Sequence, residues 1–361
     1  MRILMLIKNS EVGGVLSCSV SLSKGLIDKG DHVVIGTTNG QGVSFLAKNC
    51  PNLFIIDFNA KSIFSIIKNY KSLRQIIKNE RIELIHCQNR IPAIYASFYC
   101  FFHRSVKYIW ANHLVPISNS FFSRCMTHYG SAAVAEGVDG KDMLISQFHI
   151  PENKVEVINL GMDVQHFTPI CDSEKTLLKK KLNIEPDDKV ILLYGRLAEV
   201  KGHLFLLDSI SKIKNKNYVL IFPGENEDYK NKILTKAESL GIIDKLRFPG
   251  YIDGKQYLSI SDLMVLPSER EGFGIVNVES FCMGVPVIRT RTAGFKDMSD
   301  CCFGIEFGNV DDFSSLLQDF FDDNKKFIEK AIFAKNQVDR FSLNIMTDNY
   351  RKLYKRVIEE K

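Results

Sequence analysis

The chain has 361 residues, is 45% hydrophobic and 25% charged, and carries a formal net charge of +5. This is the composition of a soluble globular protein long enough for two domains. It holds no membrane span, because the longest apolar run, Ile91 to Phe102, has 12 residues, and Ile3 to Ile7 is too short for a signal-peptide core. Nine scattered cysteines with no C-x-x-C spacing exclude a disulfide frame or a zinc site and predict reduced thiols in the cytoplasm.

In chain order, Arg2 to Ile7 reads as a strand and Asn9 to Gly14 as a loop ending in Gly13-Gly14. Val15 to Lys29 has helical periodicity with Gly30 as its stop, and His32 to Ile35 is the next strand. The first loop, K-N-S-E-V-G-G, lacks G-x-G-x-x-G spacing, which argues against a nicotinamide or flavin cofactor. The glycine pair still permits close backbone approach to a phosphate or sugar; a plain tight turn is the blander alternative.

Residues 61–81 form a basic amphipathic helix with Ile63, Ile66, Ile67, Tyr70, Leu73, Ile76 and Ile77 on its apolar face. Residues 61–124 carry ten basic and two acidic residues, interleaved with Phe, Tyr and the single Trp110. Such a patch suits an anionic membrane surface or a nucleic acid, or it is a solvated helix face over buried aromatics. Glu83 to Cys87 and Tyr108 to Ala111 are strands, followed by Gln88-Asn89-Arg90 and by Asn112-His113 at their carboxyl ends. Ala132 to Ala135 and Val155 to Ile158 are further strands, and Asp163 to Glu174 reads as a linker.

A second strand–helix series begins with Val190 to Tyr194, followed by Gly195-Arg196, and Lys201-Gly202 opens a helix to about Ile213. Tyr218 to Phe222 leads to Pro223-Gly224-Glu225, and a further strand leads to Pro249-Gly250-Tyr251. Leu263 to Leu266, Glu271-Gly272-Phe273-Gly274, a helix to Met283 and a strand from Val285 to Ile288 make one strand–loop–helix–strand unit. Ligands of α/β folds bind at the carboxyl ends of parallel strands, and a helix start behind a glycine turn suits a phosphate. Arg196 and Lys201 suit a diphosphate, whereas the carboxylates of Glu271 and Glu279 suit sugar and ribose hydroxyls. Taken singly, Glu271 reads more readily as a turn cap, Glu279 as part of a solvated helix face, and Arg196 and Lys201 as ordinary surface charges.

The assembled pattern resembles glycosyltransferase family 4, the retaining GT-B enzymes (glycosyl transferases group 1). The resemblance rests on Gly13-Gly14, Leu160-Gly161-Met162-Asp163 with Phe167 and Pro169, Gly195-Arg196-Leu197 with Lys201-Gly202, and Pro223-Gly224-Glu225. Its most specific piece is Pro267-Ser268 through Glu271 and Glu279 to Gly284-Val-Pro-Val-Ile288, which has the family's E-x7-E spacing. Leu160, Asn159 and Ala293 depart from the family's usual residues. The resemblance implies an α/β fold of GT-B type, with two Rossmann-like domains facing across a cleft. Residues 1–165 would form the acceptor side and residues 166–341 the nucleotide-sugar side, with 342–361 a helix crossing back to the first domain.

It further implies that Arg196 and Lys201 bind the donor diphosphate, with Phe273, Gly274 and Ile275 assisting through their backbone N–H groups. Glu271 would hold the donor sugar, Glu279 the ribose, and Gly224, Tyr251 and Ile252 the base; Gly13 and Gly14 would approach from the first domain. His113 would lie near the reacting centre, so His113, Arg196, Lys201 and Glu271 form the expected catalytic set. The donor is a UDP- or GDP-linked sugar taken as substrate, with no resident cofactor and no metal, since no D-x-D motif occurs. The expected acceptor is a lipid-linked or growing surface glycan (lipopolysaccharide, capsule or exopolysaccharide). The protein would be peripheral on the inner face of the membrane and would not bind nucleic acid. Rival readings are a GT-B sugar-nucleotide epimerase or hydrolase, and a catalytically idle membrane-surface scaffold.

Overall fold

A computed structural model describes residues 1–8, 14–50, 52–113, 124, 126–215, 217–251 and 253–360. They divide into two compact units, Met1–Met162 with Phe341–Lys361, and Asp163–Arg340.

The first unit is built on a seven-stranded parallel sheet. Its strands are β1 (Arg2–Ile7), β2 (His32–Thr37), β3 (Leu53–Ile55), β4 (Leu84–Cys87), β5 (Lys107–Asn112), β6 (Ala132–Ala135) and β7 (Val155–Val157). Their order is β3-β2-β1-β4-β5-β6-β7, so the winding reverses between β1 and β4. The two-residue period of a strand sends Ile3, Met5 and Ile7 into one core layer and Leu4 and Leu6 into the other. Both faces of the central strands are covered, which is why β1 reads as an unbroken apolar run. The helix Leu343–Glu359 closes one layer with Met346, Tyr350, Leu353, Tyr354 and Val357, a stripe at helical spacing. Its Arg351 Nε bonds the buried Asp31 carboxylate at 2.8 Å, which ties the C-terminal segment to the β2 side of the sheet.

The second unit carries a six-stranded parallel sheet. Its strands are β8 (Lys189–Leu193), β9 (Tyr218–Ile221), β10 (Leu246–Arg247), β11 (Leu263–Leu266), β12 (Val287–Thr290) and β13 (Phe303–Ile305). Their order is β10-β9-β8-β11-β12-β13, and the reversal falls between β8 and β11. Loops leaving those two strands flank the crevice that such a reversal opens.

Several expectations shift in detail. The basic helix runs Ile63–Asn79 and buries only Asn69, Leu73, Ile76 and Ile77; Ile63, Ile66 and Ile67 stay exposed. The linker is shorter than Asp163 to Glu174, because a helix begins at Asp172, where Glu174 accepts the Cys171 backbone N–H at 3.0 Å. Lys201 lies in the 3-10 turn Glu199–Lys201, and the helix proper starts at His203. The strand expected over Val285 to Ile288 occupies Val287–Thr290, which puts a charged residue, Arg289, inside the sheet. Among the described residues, no helix is long and apolar enough to cross a membrane.

Candidate active site

In the second unit the site forms where β8 and β11 lie side by side. Gly202 has φ +75°, and a Cβ there would stand 2.0 Å from the Pro267 carbonyl oxygen. Only glycine lets the turn after β8 press onto the loop after β11. Lys201 is thereby delivered to Glu271, Nζ to Oε2 at 2.7 Å, with both side chains mostly buried. The Lys201 stem crosses Gly195, passing 3.4 Å from where a Cβ would stand. The Ser268 hydroxyl donates to the same Glu271 oxygen at 3.3 Å, and Thr290 Oγ1 fixes the Ser268 carbonyl at 2.6 Å. Lys201 and Glu271 thus hold each other, and Arg196, which follows Gly195 in the turn after β8, is exposed with no ion-pair partner among the described residues.

The helix Ile275–Met283 begins at Gly274, φ +79°, with no side chain capping its first turn. A Cβ at Gly274 would meet Asn277 Nδ2 at 2.5 Å. Behind the turn lies Arg289, fully buried, whose guanidinium donates to the Phe273 carbonyl at 3.2 Å and to the Ala293 carbonyl at 2.8 Å. This charged anchor takes the carbonyls of the turn inward and fixes the backbone from Phe273 to Ile275. In the sequence Arg289 falls just past the strand expected over Val285 to Ile288 and reads as an ordinary charge at a strand end.

Glu279 lies one turn into that helix. Burial pushes its carboxyl up to about 7, against the stabilising hydrogen bond from the Tyr194 hydroxyl and with a smaller upward push from Asp253. Its Oε2 is buried without a partner. A carboxylate oxygen left unsatisfied and sealed from water is costly, and a ligand hydroxyl is the kind of group that relieves the cost. Tyr194, packed against Gly254, is the second residue that sequence reading passed over.

On the other side of β8, the Gly224 N–H donates to the Gly250 carbonyl at 3.0 Å. A cavity of about 520 Å³ opens there, lined by Leu197, Gly224, Glu225, Asn226, Phe248 and Gly250. Tyr251 beside it is exposed. Ile252 and Gly13 lie outside the described residues, and Gly14 opens the helix Gly14–Asp28.

The first unit holds its own polar cluster at the carboxyl ends of β4, β5 and β6. His113, with a side chain only 3% exposed, meets Glu136 through Nδ1 and Gln88 through Nε2. Gln88 Nε2 lies 3.5 Å from His86 Nε2, and His86 Nδ1 meets the Tyr354 hydroxyl at 2.7 Å. Burial, helped by the nearby His113, drives His86 down to about 3, so it is a neutral link. Both His113 nitrogens are therefore engaged by the chain itself.

Two family models match, "Glycosyltransferase Family 4" over residues 12–166 and "Glycosyl transferases group 1" over residues 174–336. The chain belongs to glycosyltransferase family 4. Its two parallel sheets have the GT-B fold, each in a Rossmann-like unit. A relative, an uncharacterized glycosyltransferase of Methanocaldococcus jannaschii, is 31% identical over 44% of this chain and 42% of its own length. The mannosylfructose-phosphate synthase of Agrobacterium fabrum is 30% identical over 42% of this chain and 36% of its own. The chain spans about half the length of the curated relatives it matches, or less. Solved structures align along the whole chain. A glycosyltransferase from Rickettsia africae has a TM-score of 0.90 at 23% identity over 99% of both chains. Anabaena HepE in complex with UDP has a TM-score of 0.89 at 19% identity over 99% of this chain and 100% of its own.

Proposed function

We propose that this family 4 protein is a retaining glycosyltransferase that moves a sugar from a nucleoside diphosphate to an acceptor hydroxyl. The observation that carries this reading is the grouping at the β8–β11 reversal. There the turn after β8 carries Lys201 and the exposed Arg196, the loop after β11 carries Glu271, which pairs with Lys201, and the helix that follows has an uncapped start and an unsatisfied Glu279 oxygen. Arg196, Lys201 and the backbone N–H groups at Phe273, Gly274 and Ile275 stabilise the negative charge that grows on the departing diphosphate. Glu271, anchored by Lys201, accepts from donor-sugar hydroxyls and Glu279 from the ribose. The cavity beside Gly224 and Gly250 takes the base. His113, held in the first unit by Glu136 and Gln88, takes part in the transfer on this reading. The reaction needs neither a resident cofactor nor a metal.

Related structures support a nucleotide-sugar donor, since HepE is described with UDP and with UDP-glucose. The acceptor we propose is a lipid-linked or growing surface glycan. Support comes from relatives named for lipopolysaccharide biosynthesis and from the basic composition of residues 61–124, which suits an anionic membrane surface.

The test is a panel of UDP- and GDP-sugars incubated with and without lipid-linked glycan acceptors, with products followed by proton NMR. An acceptor-dependent glycoside with the donor's anomeric configuration is expected. Free sugar alone would mean hydrolysis, an interconverted sugar nucleotide would mean epimerisation, and no turnover with nucleotide unbound would mean a scaffold; each contradicts the proposal.

A further inference from the structure

The apolar stripe of the helix Ile63–Asn79 is longer than the surface it covers. Its C-terminal half is buried through Leu73, Ile76 and Ile77. Its N-terminal half is not, with Ile63, Phe64, Ile66 and Ile67 exposed, Phe64 to 83%. The neighbouring helix Arg90–Phe102 exposes Phe98, Phe101 and Phe102 as well, Phe101 to 71%. Single exposed apolar residues are ordinary, but a contiguous set on two adjacent helices marks a binding surface.

A groove of about 600 Å³ runs between these helices, lined by Phe58, Ile67, Tyr70, Ile94, Tyr95 and Phe98. Edge-to-face ring pairs, Tyr70 with Phe98 at 5.1 Å and Phe58 with Tyr95 at 5.6 Å, form its walls. The lining is almost wholly apolar, so it offers a ligand dispersion contacts and no orienting hydrogen bonds.

Two features identify the occupant. The first is charge. Residues 61–79 hold Lys61, Lys68, Lys71, Arg74 and Lys78 and no acid, and all five are exposed without an ion-pair partner among the described residues. At helical spacing, Lys71, Arg74 and Lys78 share the outward face of Ile67. An apolar slot rimmed by cations is complementary to a hydrocarbon chain with an anionic head. The second feature is position. Ile91 and Ile94 occupy the first turns of the helix Arg90–Phe102, which starts immediately after β4 and its Gln88. Gln88 bonds His113, so the groove begins beside the first unit's polar cluster.

We infer that this groove holds the hydrocarbon chain of the lipid-linked acceptor, with the lysines and Arg74 facing its phosphate. The inference rests on the glycosyl-transfer reading above and makes that acceptor's lipid a recognised part of the substrate.

The experiment uses the full chain and two probes. Farnesyl phosphate, kept below its micellar concentration, competes with the fluorescent chain cis-parinaric acid for the groove; nucleotide binding is followed separately by thermal shift. The double variant Ile67→Asn with Phe98→Ser changes two half-exposed side chains, so folding is expected to survive. It should weaken binding of both chain probes by about tenfold or more while leaving the nucleotide response intact. With farnesol as a neutral control in the same competition, Lys68→Glu with Lys71→Glu should weaken farnesyl phosphate more than farnesol, and equal weakening of the two would overturn the phosphate contact. Wild-type protein that binds neither chain probe, or a double variant that binds them like the wild type, would overturn the groove assignment. So would a wild-type dimer that the double variant dissociates, because the face would then belong to a second copy. Loss of nucleotide response with chain binding retained would instead count against glycosyl transfer and leave the groove standing.

Discussion

The polar clusters of the two units differ in how far each is satisfied by its own chain. In the first, His113 is engaged on both nitrogens by Glu136 and Gln88, and the chain of contacts continues through His86 to Tyr354. In the second, Arg196 is exposed with no ion-pair partner among the described residues, the helix start at Gly274 has no side-chain cap, and Glu279 Oε2 is buried without a partner. A satisfied cluster fixes geometry, whereas an unsatisfied one stores binding energy for a ligand. On the function proposed above, the contrast would give nucleotide affinity to the second unit and orientation of the reacting groups to the first.

The largest expected effect strikes the second cluster. Arg196→Ala should reduce kcat/KM for the donor by roughly 10²–10³, as removal of one charge-stabilising donor does in other active sites; donor-dependent initial rates measure this, and a loss below tenfold would break the comparison. Next is Gly202→Ala. The new Cβ would meet the Pro267 carbonyl while φ stays at +75°, so the two loops must part. A destabilisation of about 1–3 kcal/mol with loss of the Lys201–Glu271 pair is expected, readable as a lowered midpoint in urea together with lost nucleotide response.

Glu136→Gln tests the first cluster. It weakens a charge-assisted bond worth about 1.5–3 kcal/mol, so kcat should fall about tenfold or more while the nucleotide Kd stays unchanged. A variant that weakened nucleotide binding equally would erase the distinction between the units. The smallest effect is a pH dependence. Glu279 titrates near 7, and hydroxyl donors favour its charged form. Nucleotide affinity should therefore rise as pH increases from 6 to 8, with proton release on binding below about pH 7. Glu279→Gln should flatten that slope. The same raised carboxyl pKa makes the free protein lose stability as pH climbs from the ordinary carboxyl range to about 7, because the folded form holds the proton more tightly. Titration calorimetry in buffers of different ionisation enthalpy reads the proton directly.

Sequence legibility followed burial and chemistry together. Central strands such as β1 and β11, buried on both faces, announce themselves as apolar runs. The three-residue strand Leu53–Ile55, at the sheet edge and only partly buried, gives no such signal. Arg196, Lys201, Glu271 and Glu279 could be grouped because all four sit after or near strand ends with glycine turns between them. Their pairing could not be read, because the Lys201–Glu271 bridge depends on Gly202 pressing against Pro267, a contact between segments 65 residues apart. Arg289 and Tyr194 were missed for a related reason: a buried polar residue inside or abutting a strand looks like the strand's end until its partners are seen. The exposed half of the helix Ile63–Asn79 shows the opposite error, since periodicity reports an apolar face without saying what covers it.

The most direct measurement of the central assignment is a thermal-shift titration of the full chain with UDP, GDP and their sugars, repeated for Arg196→Ala and Glu279→Ala. The account predicts a saturable stabilisation of the wild type by at least one nucleotide, lost in both variants, with His113→Ala retaining it. Nucleotide stabilisation that persists in Arg196→Ala and Glu279→Ala but vanishes in His113→Ala would contradict it.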